Sequence, residues 1–192
     1  MTVTDDNIII QQALRGEQQG YALIVRKYEQ MVFTLALRIV KNREEAHEVA
    51  QDAFLKIFKY LPSFKSECKF STWIYRIVYT TALNHIRTKK PEVLSLEDEE
   101  KYGQLTDFSN ESNLFQLEIN EQQKQIQAAI AELPPDYATI ITLFYLFEQK
   151  ISEICITMDL NESNAKTKLS RARVRLREVM EKNYADLKNF MQ

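Results

Sequence analysis

The chain has 192 residues and a formal net charge of −2, with 45% hydrophobic and 27% charged residues. This balance supplies enough apolar side chains for packed cores and excludes a protein that is disordered as a whole. Only three glycines and four prolines occur, too few for the many tight turns of a β-rich fold. We therefore predict an all-α fold of one or two domains.

The sequence lacks the motifs of several functional classes. Cys68 and Cys155 share no metal-ligand spacing with each other or with His47 and His85, so we expect reduced thiols rather than a disulfide or a zinc site. No phosphate-binding glycine loop, nucleophile elbow or zinc-protease motif occurs. No apolar run is as long as a membrane span, and residues 1–7 lack the basic start of a signal peptide. We predict a cytoplasmic protein that is not an enzyme and has no cofactor, metal or membrane insertion.

Residues 5–60 have helical periodicity throughout, and the last helix of this region has an acidic face. The stretch 43–60 places small and aromatic residues, from Ala46 to Phe58, on the side that would pack on a core. The opposite side is acidic but includes Leu55. An acidic face usually does no more than contact solvent. A leucine within it also suggests a surface for a protein partner, and the sequence leaves both interpretations about equally open.

A basic and aromatic stretch follows, with six basic residues and one acidic residue between 60 and 91. Its loop, 63–71, precedes a helix. Aromatic rings beside positive charges suit single-stranded nucleic acid, because bases stack on the rings while cations follow the phosphates. Aromatic residues at helical spacing are more often core residues, so we place Trp73 mainly in the core and expect Phe64 and Phe70 to contact bases.

The segment 92–120 is acidic and polar with weak periodicity, which is typical of a flexible linker. Beyond it, the sequence indicates two helices joined at Pro134–Pro135. We therefore predict two small helical domains, 1–91 and 121–192, joined by a flexible acidic linker over 92–120.

The C-terminal domain contains the pattern of a helix-turn-helix. A short amphipathic helix over 151–158 is followed by the polar break Asp159–Asn161. Asp and Asn tolerate left-handed backbone, and Asn161 is a good N-cap for the next helix. In a helix-turn-helix the second helix enters the DNA major groove.

The second helix of this motif is strongly basic. Residues 163–177 include six basic residues and no acidic one. An apolar seam from Ala165 to Val179 predicts that this helix sits on a core and turns its basic side towards an anionic partner. A merely solvated basic helix is the alternative, but the short helix and the break before it favour nucleic acid.

This order of features resembles the bacterial RNA polymerase sigma factors of the extracytoplasmic-function (ECF) group, within the sigma-70 family. The resemblance runs from about residue 9 to residue 180. It implies a transcription initiation factor that binds core RNA polymerase, directs it to specific promoters and helps to open the DNA. It also implies two further partners. These are promoter DNA, both as duplex and as opened strand, and an anti-sigma factor.

The resemblance also implies a role for each of three groups of residues. The acidic helix is similar to the one that grips the largest polymerase subunit, and Glu48, Gln51, Asp52 and Phe54 fall on the matching positions. We predict that polymerase is contacted by Glu48, Gln51, Asp52, Leu55 and Lys56. The aromatic stretch is similar to the segment that melts and binds the downstream, minus-ten promoter element, through Phe64, Lys65, Ser66, Lys69, Phe70, Trp73, Arg76, Tyr79, Thr80, Asn84 and Arg87. The basic helix is similar to the one that binds the upstream, minus-thirty-five element, through Asn164, Lys166, Thr167, Lys168, Ser170, Arg171, Arg173, Arg175 and Arg177.

Two other classes of function remain open from the sequence. A stand-alone helix-turn-helix regulator that dimerises on a palindromic site would explain residues 121–180, but it gives the aromatic loop and the acidic helix no task. A helical adaptor that does not bind DNA, such as an anti-sigma protein, is the third hypothesis. The strongly basic helix counts against it.

Overall fold

A computed structural model of the protein describes the backbone of residues 5–89 and 121–190, and the side chains of 5–89 and 123–183. The predicted linker, 92–120, lies outside the described residues. Every regular element in the described ranges is helical, which confirms the predicted all-α class. The helices are α1 Asp6–Leu14, α2 Gln18–Val40, α3 Arg43–Tyr60, α4 Phe70–Lys89, α5 Glu121–Glu132, α6 Pro135–Ile141, α7 Ile151–Met158 and α8 Glu162–Phe190.

The N-terminal domain is built around the long helix α2, which packs against α1, α3 and α4. Each of these helices buries residues at intervals of three or four, so that one apolar stripe faces the common core. The fully buried side chains of this core include Ile24, Leu35, Ala46, Val49, Ala53, Ile57, Ile74, Val78 and Ala82.

Local signals set the boundary between α2 and α3. Lys41 ends α2 with φ 56°, in the left-handed region. Asn42 then caps α3, because its Oδ1 accepts a hydrogen bond from the backbone N–H of Glu45 at 3.0 Å. Helix α3 therefore begins and ends where its sequence pattern predicted, at Arg43 and Tyr60.

The C-terminal domain consists of α5 to α8. The Pro134–Pro135 pair joins α5 to α6, as predicted: Pro134 is the N-cap of α6 and Pro135 is its first residue. Helix α6 continues into a wider π-helical turn over Thr142–Leu146. Helix α8 then packs against α5, α6 and α7, so that its apolar seam closes the domain.

The two domains pack directly on each other, which the sequence did not predict. Helix α4 contacts α7, and α2 contacts α6. The rings of Tyr75 and Phe147 stack with centroids 5.0 Å apart. The guanidinium of Arg38 donates to the backbone carbonyl of Gln127 at 3.4 Å, and burial lowers the pKa of Arg38 to about 10, so that it remains protonated at neutral pH.

Gly20 allows α1 to cross α2 at close range, which yields the first prediction. A Cβ atom at Gly20 would lie 2.3 Å from the backbone nitrogen of Ala13, so Gly20→Ala forces the two helices apart. We expect a loss of about 1–3 kcal/mol in the free energy of unfolding, measured by chemical denaturation. The control is Gln19→Ala, at an exposed position of the same helix; equal stability of the two variants would contradict the close-packing argument.

Candidate nucleic-acid interface

Helices α7 and α8 form the predicted helix-turn-helix. Asp159 ends α7 with φ 55° and ψ 49°, so the left-handed position of the turn is occupied by an aspartate. The Oδ1 atom of Asn161 accepts a hydrogen bond from the backbone N–H of Asn164 at 2.8 Å, which is the predicted N-cap of α8. The polar break therefore performs both backbone tasks expected of it.

The rotation of α8 is set by its apolar seam. Ala165, Leu169 and Ala172 are buried against the rest of the domain, and on a helix of 3.6 residues per turn the polar positions between them must face outward. Of the residues predicted to bind the upstream element, only Lys168 is half-buried. The exposed ones are Asn164, Lys166, Thr167, Ser170, Arg171, Arg173, Arg175 and Arg177.

Two cations of α8 have partners that the sequence did not reveal. The Nε of Arg173 donates to the Tyr145 hydroxyl at 2.8 Å, and its guanidinium lies 5.3 Å from the centre of the Phe144 ring. Lys168 pairs with Asp136 of α6. These partners lie 28 and 32 residues away in the sequence, so no local pattern indicated them. The one signal available in the sequence was the aromatic residue at position 145.

Two other cations pair within α8 itself. Lys166 pairs with Glu162, and Arg175 pairs with Glu178 at 2.9 Å. The first pair lowers the pKa of Glu162 and raises that of Lys166 through their hydrogen bond and mutual charge. Exposed pairs of this kind contribute little to stability and exchange readily, so a phosphate can replace the carboxylate.

The loop before α4 presents an aromatic cluster. The Phe64 ring lies 5.3 Å from both the Phe70 and the Trp73 ring centres. Phe64 and Trp73 are half-buried, whereas Lys65 and Lys69 are exposed beside them. Ser66 has φ 57°, a left-handed conformation that turns the chain back towards α4. Stacking surface and positive charge therefore lie together in this loop.

Phe70 and Tyr79 are corrections to the predicted base contacts. Phe70 is only 3% exposed and packs edge-on against Tyr28, with ring centres 5.6 Å apart, so it belongs to the core. Tyr79 is 8% exposed, and its hydroxyl contacts Asp136 of the other domain at 3.5 Å. Both side chains are directed inward because they fall on the buried stripe of α4.

The outer side of α4 carries the remaining predicted residues of the downstream surface. Their spacing of three or four places them on one line along the helix, away from the core. All four are exposed, namely Arg76, Thr80, Asn84 and Arg87.

The acidic face of α3 forms a separate surface. Glu48, Gln51, Asp52 and Leu55 are exposed, and Leu55 retains 67% of its accessible surface. Lys56, at the edge of this predicted partner surface, is half-buried, and its Nζ donates to the Thr81 hydroxyl at 3.1 Å.

The part of the chain that the structure describes contains no group of three or more potential metal-ligating side chains. Cys68 and Cys155 are both free thiols. Within the same ranges, no helix is both long enough and apolar enough to traverse a bilayer.

Comparison with known families places both domains. Residues 24–92 match the model of sigma-70 region 2, and residues 123–176 match that of sigma-70 region 4. The chain is 33% identical to the ECF RNA polymerase sigma factor SigW of Bacillus subtilis, over 89% of this chain and 94% of that protein. It is 31% identical to the ECF RNA polymerase sigma-E factor of Escherichia coli K12, over 88% of this chain and 90% of that protein.

Solved structures share the fold. The sigma factor RpoE of Bartonella quintana, solved in complex with the anti-sigma factor NepR, superposes with a TM-score of 0.65 at 17% identity, covering 84% of this chain and 96% of that one. CnrH, solved in complex with the cytosolic domain of CnrY, superposes with a TM-score of 0.63 at 16% identity, covering 92% and 97%. At such low identity the likeness establishes the two-domain helical fold alone.

Proposed function

This chain belongs to the ECF group of sigma-70 RNA polymerase sigma factors, and we propose that it initiates transcription through three separate surfaces. As a sigma factor it binds core RNA polymerase and promoter DNA, and polymerase performs the chemistry. The observation that supports the three-surface proposal is that one matched region falls in each of the two helical domains, and each domain carries its own basic face. We further propose that it acts in the cytoplasm by binding rather than by catalysis.

The acidic face of α3 is the proposed polymerase-binding surface. Glu48, Asp52 and Leu55 follow one another at intervals of four and three, so they form one continuous stripe. An exposed leucine within a carboxylate stripe suits a basic partner that also offers an apolar contact. The α2 and α4 sides of α3 are occupied by its own domain. Glu48 pairs with Lys89 of α4 at 3.5 Å, and Asp52 and Leu55 remain exposed for a partner.

The outer side of α8 is the proposed contact with the upstream element. Residues in the first half of the recognition helix reach base edges in the major groove, whereas those further along lie over phosphates. Asn164, Thr167 and Arg171 therefore fit base recognition, and Arg177 fits backbone contact.

The loop 63–71 and the outer side of α4 are the proposed contact with the opened downstream strand. Phe64 and Trp73 supply ring faces, and Lys65, Lys69 and Arg76 supply charge for the phosphates. Stacking of one base is worth about 1–3 kcal/mol, and unpairing one base costs a few kcal/mol. The loop therefore traps a base that has already been released and does not melt DNA alone.

A regulatory partner is proposed from the solved structures that share the fold. RpoE was solved in complex with an anti-sigma factor, and we propose that an anti-sigma protein binds this chain and holds it inactive. Co-purification of the tagged chain from its own cells, followed by a band-shift competition with core polymerase, would test for such a partner.

Charge reversal on α3 tests the polymerase surface. We expect Asp52→Lys to weaken binding to core polymerase by about 2–5 kcal/mol if the contact is buried in the complex, as measured by fluorescence titration. The fold should persist, because Asp52 is exposed. The control is Glu29→Lys, the same charge change at an exposed position of α2; wild-type affinity of Asp52→Lys would refute this surface.

Substitution of Arg171 and of Arg177 in α8 tests whether different residues contact the bases and the phosphates. Both lack an ion pair within the described residues, so their loss should report on DNA alone. Arg171→Ala should cost about 1–3 kcal/mol on the matched promoter and relax sequence preference. Arg177→Ala should weaken binding to all sequences and reduce the salt slope by about 0.9. Band shifts of the holoenzyme on matched and scrambled sites give both affinities. Equal losses of affinity on the two sites for both variants would contradict the assignment of Arg171 to bases and Arg177 to phosphates.

Removal of the Phe64 ring tests strand capture. We expect Phe64→Ala to assemble with polymerase and bind a closed promoter but to fail in forming the open complex, because the released base loses its stacking surface. A template with a pre-melted bubble should largely restore transcription. Permanganate footprinting on duplex promoter gives the measurement; normal reactivity of the downstream thymines in the variant would exclude this role for Phe64.

A further inference from the structure

We infer that Val174 determines part of the promoter sequence that this chain recognises, by contacting the C5-methyl group of a thymine in the upstream element. The inference rests on the proposed contact between the outer side of α8 and duplex DNA. It adds an apolar contact to a surface whose other proposed contacts are all polar or charged, and it gives that surface a preference for one base.

Val174 is the most exposed apolar side chain in the described part of α8. It retains 55% of its accessible surface, whereas Met180 retains 38% and Leu169 is buried. A valine at such a position stabilises neither the core nor the helix, because branching at Cβ lowers helix propensity. A single exposed apolar side chain is ordinary on a protein surface, so the significance of Val174 depends on where it lies on the helix.

Val174 lies at the centre of the outward side of α8. The buried seam of this helix includes Ala165, Leu169 and Ala172. At 3.6 residues per turn, Val174 lies about 170° around the helix from the middle of that seam. Arg171 and Arg177, three residues before and after it, lie about 60° to either side. The valine is therefore flanked by the residues proposed to contact a base and a phosphate.

The outward residues have a spacing with which a helix can read the major groove. Thr167, Ser170, Arg171 and Val174 follow one another as i, i+3, i+4 and i+7, and all four are exposed. The recognition helix of a homeodomain contacts base edges with residues at the same spacing. Seven residues of helix rise by about 10.5 Å, which corresponds to about three base pairs. Val174 is therefore close enough to the start of α8 to lie over bases.

The structure has open space beside Val174. A cavity of about 450 Å³ lies between α8 and the start of α6, and its walls include Val174, Ser170, Arg171, Arg175, Pro134 and Tyr137. Glu178 also borders it and pairs with Arg175 at 2.9 Å. The edge of a base can therefore approach Val174 without displacing another part of the described chain.

Thymine is the base that an apolar side chain distinguishes from the other three. The major-groove edges of guanine, cytosine and adenine present only hydrogen-bonding groups, whereas thymine also presents its C5-methyl group. Valine neither donates nor accepts a hydrogen bond through its side chain, and contact with the methyl group removes apolar surface of both partners from water. Arg171 precedes Val174 by about 4.5 Å along the helix, so we expect the thymine within about two base pairs of the base that Arg171 contacts.

The test uses holoenzyme assembled with the full-length chain. Wild-type holoenzyme first selects the upstream element from random duplexes, and each thymine of that element is then replaced singly by deoxyuridine, which removes only the methyl group. Val174→Ala is compared with the wild type. The matched control is Met180→Ala, which shortens an exposed apolar side chain on another side of α8. Competition band shifts give the ratio of affinities for each pair of thymine and deoxyuridine duplexes.

At one thymine we expect removal of the methyl group to weaken binding of the wild type about fourfold, the effect of burying one methyl group. Val174→Ala should weaken binding to the thymine duplex and should no longer discriminate between the two duplexes. Met180→Ala should keep the wild-type ratio. The effects of the two truncations are then not additive, which identifies a direct contact between the two groups.

The other outcomes refute either the contact or the surface on which it depends. The contact with thymine is refuted if the wild type discriminates at no thymine, if the selected element contains none, or if Val174→Ala keeps the wild-type ratio or Met180→Ala loses it. In these cases Arg171→Ala still weakens binding to the selected element, and the proposed upstream surface stands. If Arg171→Ala and Val174→Ala both leave affinity and sequence preference unchanged, the upstream surface is itself wrong, and the inference with it.

Discussion

The rotation of α4 about its own axis is the constraint on which the rest of the structure depends. Ile74, Val78 and Ala82 are fully buried against α2 and α3, and burial of such side chains is the dominant stabilising term of a helical domain. A helix has only one rotation that satisfies this seam, so Arg76 and Thr80 must face outward. The core of the N-terminal domain therefore decides which cations are offered to a strand, to the acidic residues of the C-terminal domain, or to solvent.

Features that depend on local chemistry could be predicted from the sequence. The bounds of α3 follow from an asparagine cap and an apolar stripe, and the turn of the helix-turn-helix follows from residues that tolerate left-handed backbone. The exposure of Leu55 and of most cations on α8 follows from helical periodicity alone. In each case the deciding contacts lie within about one turn along the chain, where spacing carries the information.

Features that depend on tertiary contacts could not be predicted from the sequence. Thr72 and Gln149 are 77 residues apart, and nothing in the sequence near either one indicates the other. Phe70 was placed beside Phe64 as a base contact because both flank a basic loop, but it fills a gap beside Tyr28. Lys56 was assigned to a partner surface, yet its long flexible side chain reaches Thr81. Aromatic and long basic side chains have several accessible directions, and packing chooses among them.

Several cations of the proposed DNA surfaces already contact carboxylates or aromatic groups of the same chain. For α8, Lys166, Lys168 and Arg175 pair with acidic residues. When DNA binds, its phosphates then replace carboxylates beside cations that are already neutralised. The released carboxylates repel the DNA unless they turn away. The salt dependence of DNA binding reflects the net number of counterions released, at about 0.9 per phosphate contact. It should therefore be shallower than the six basic residues of 163–177 would give if all were free.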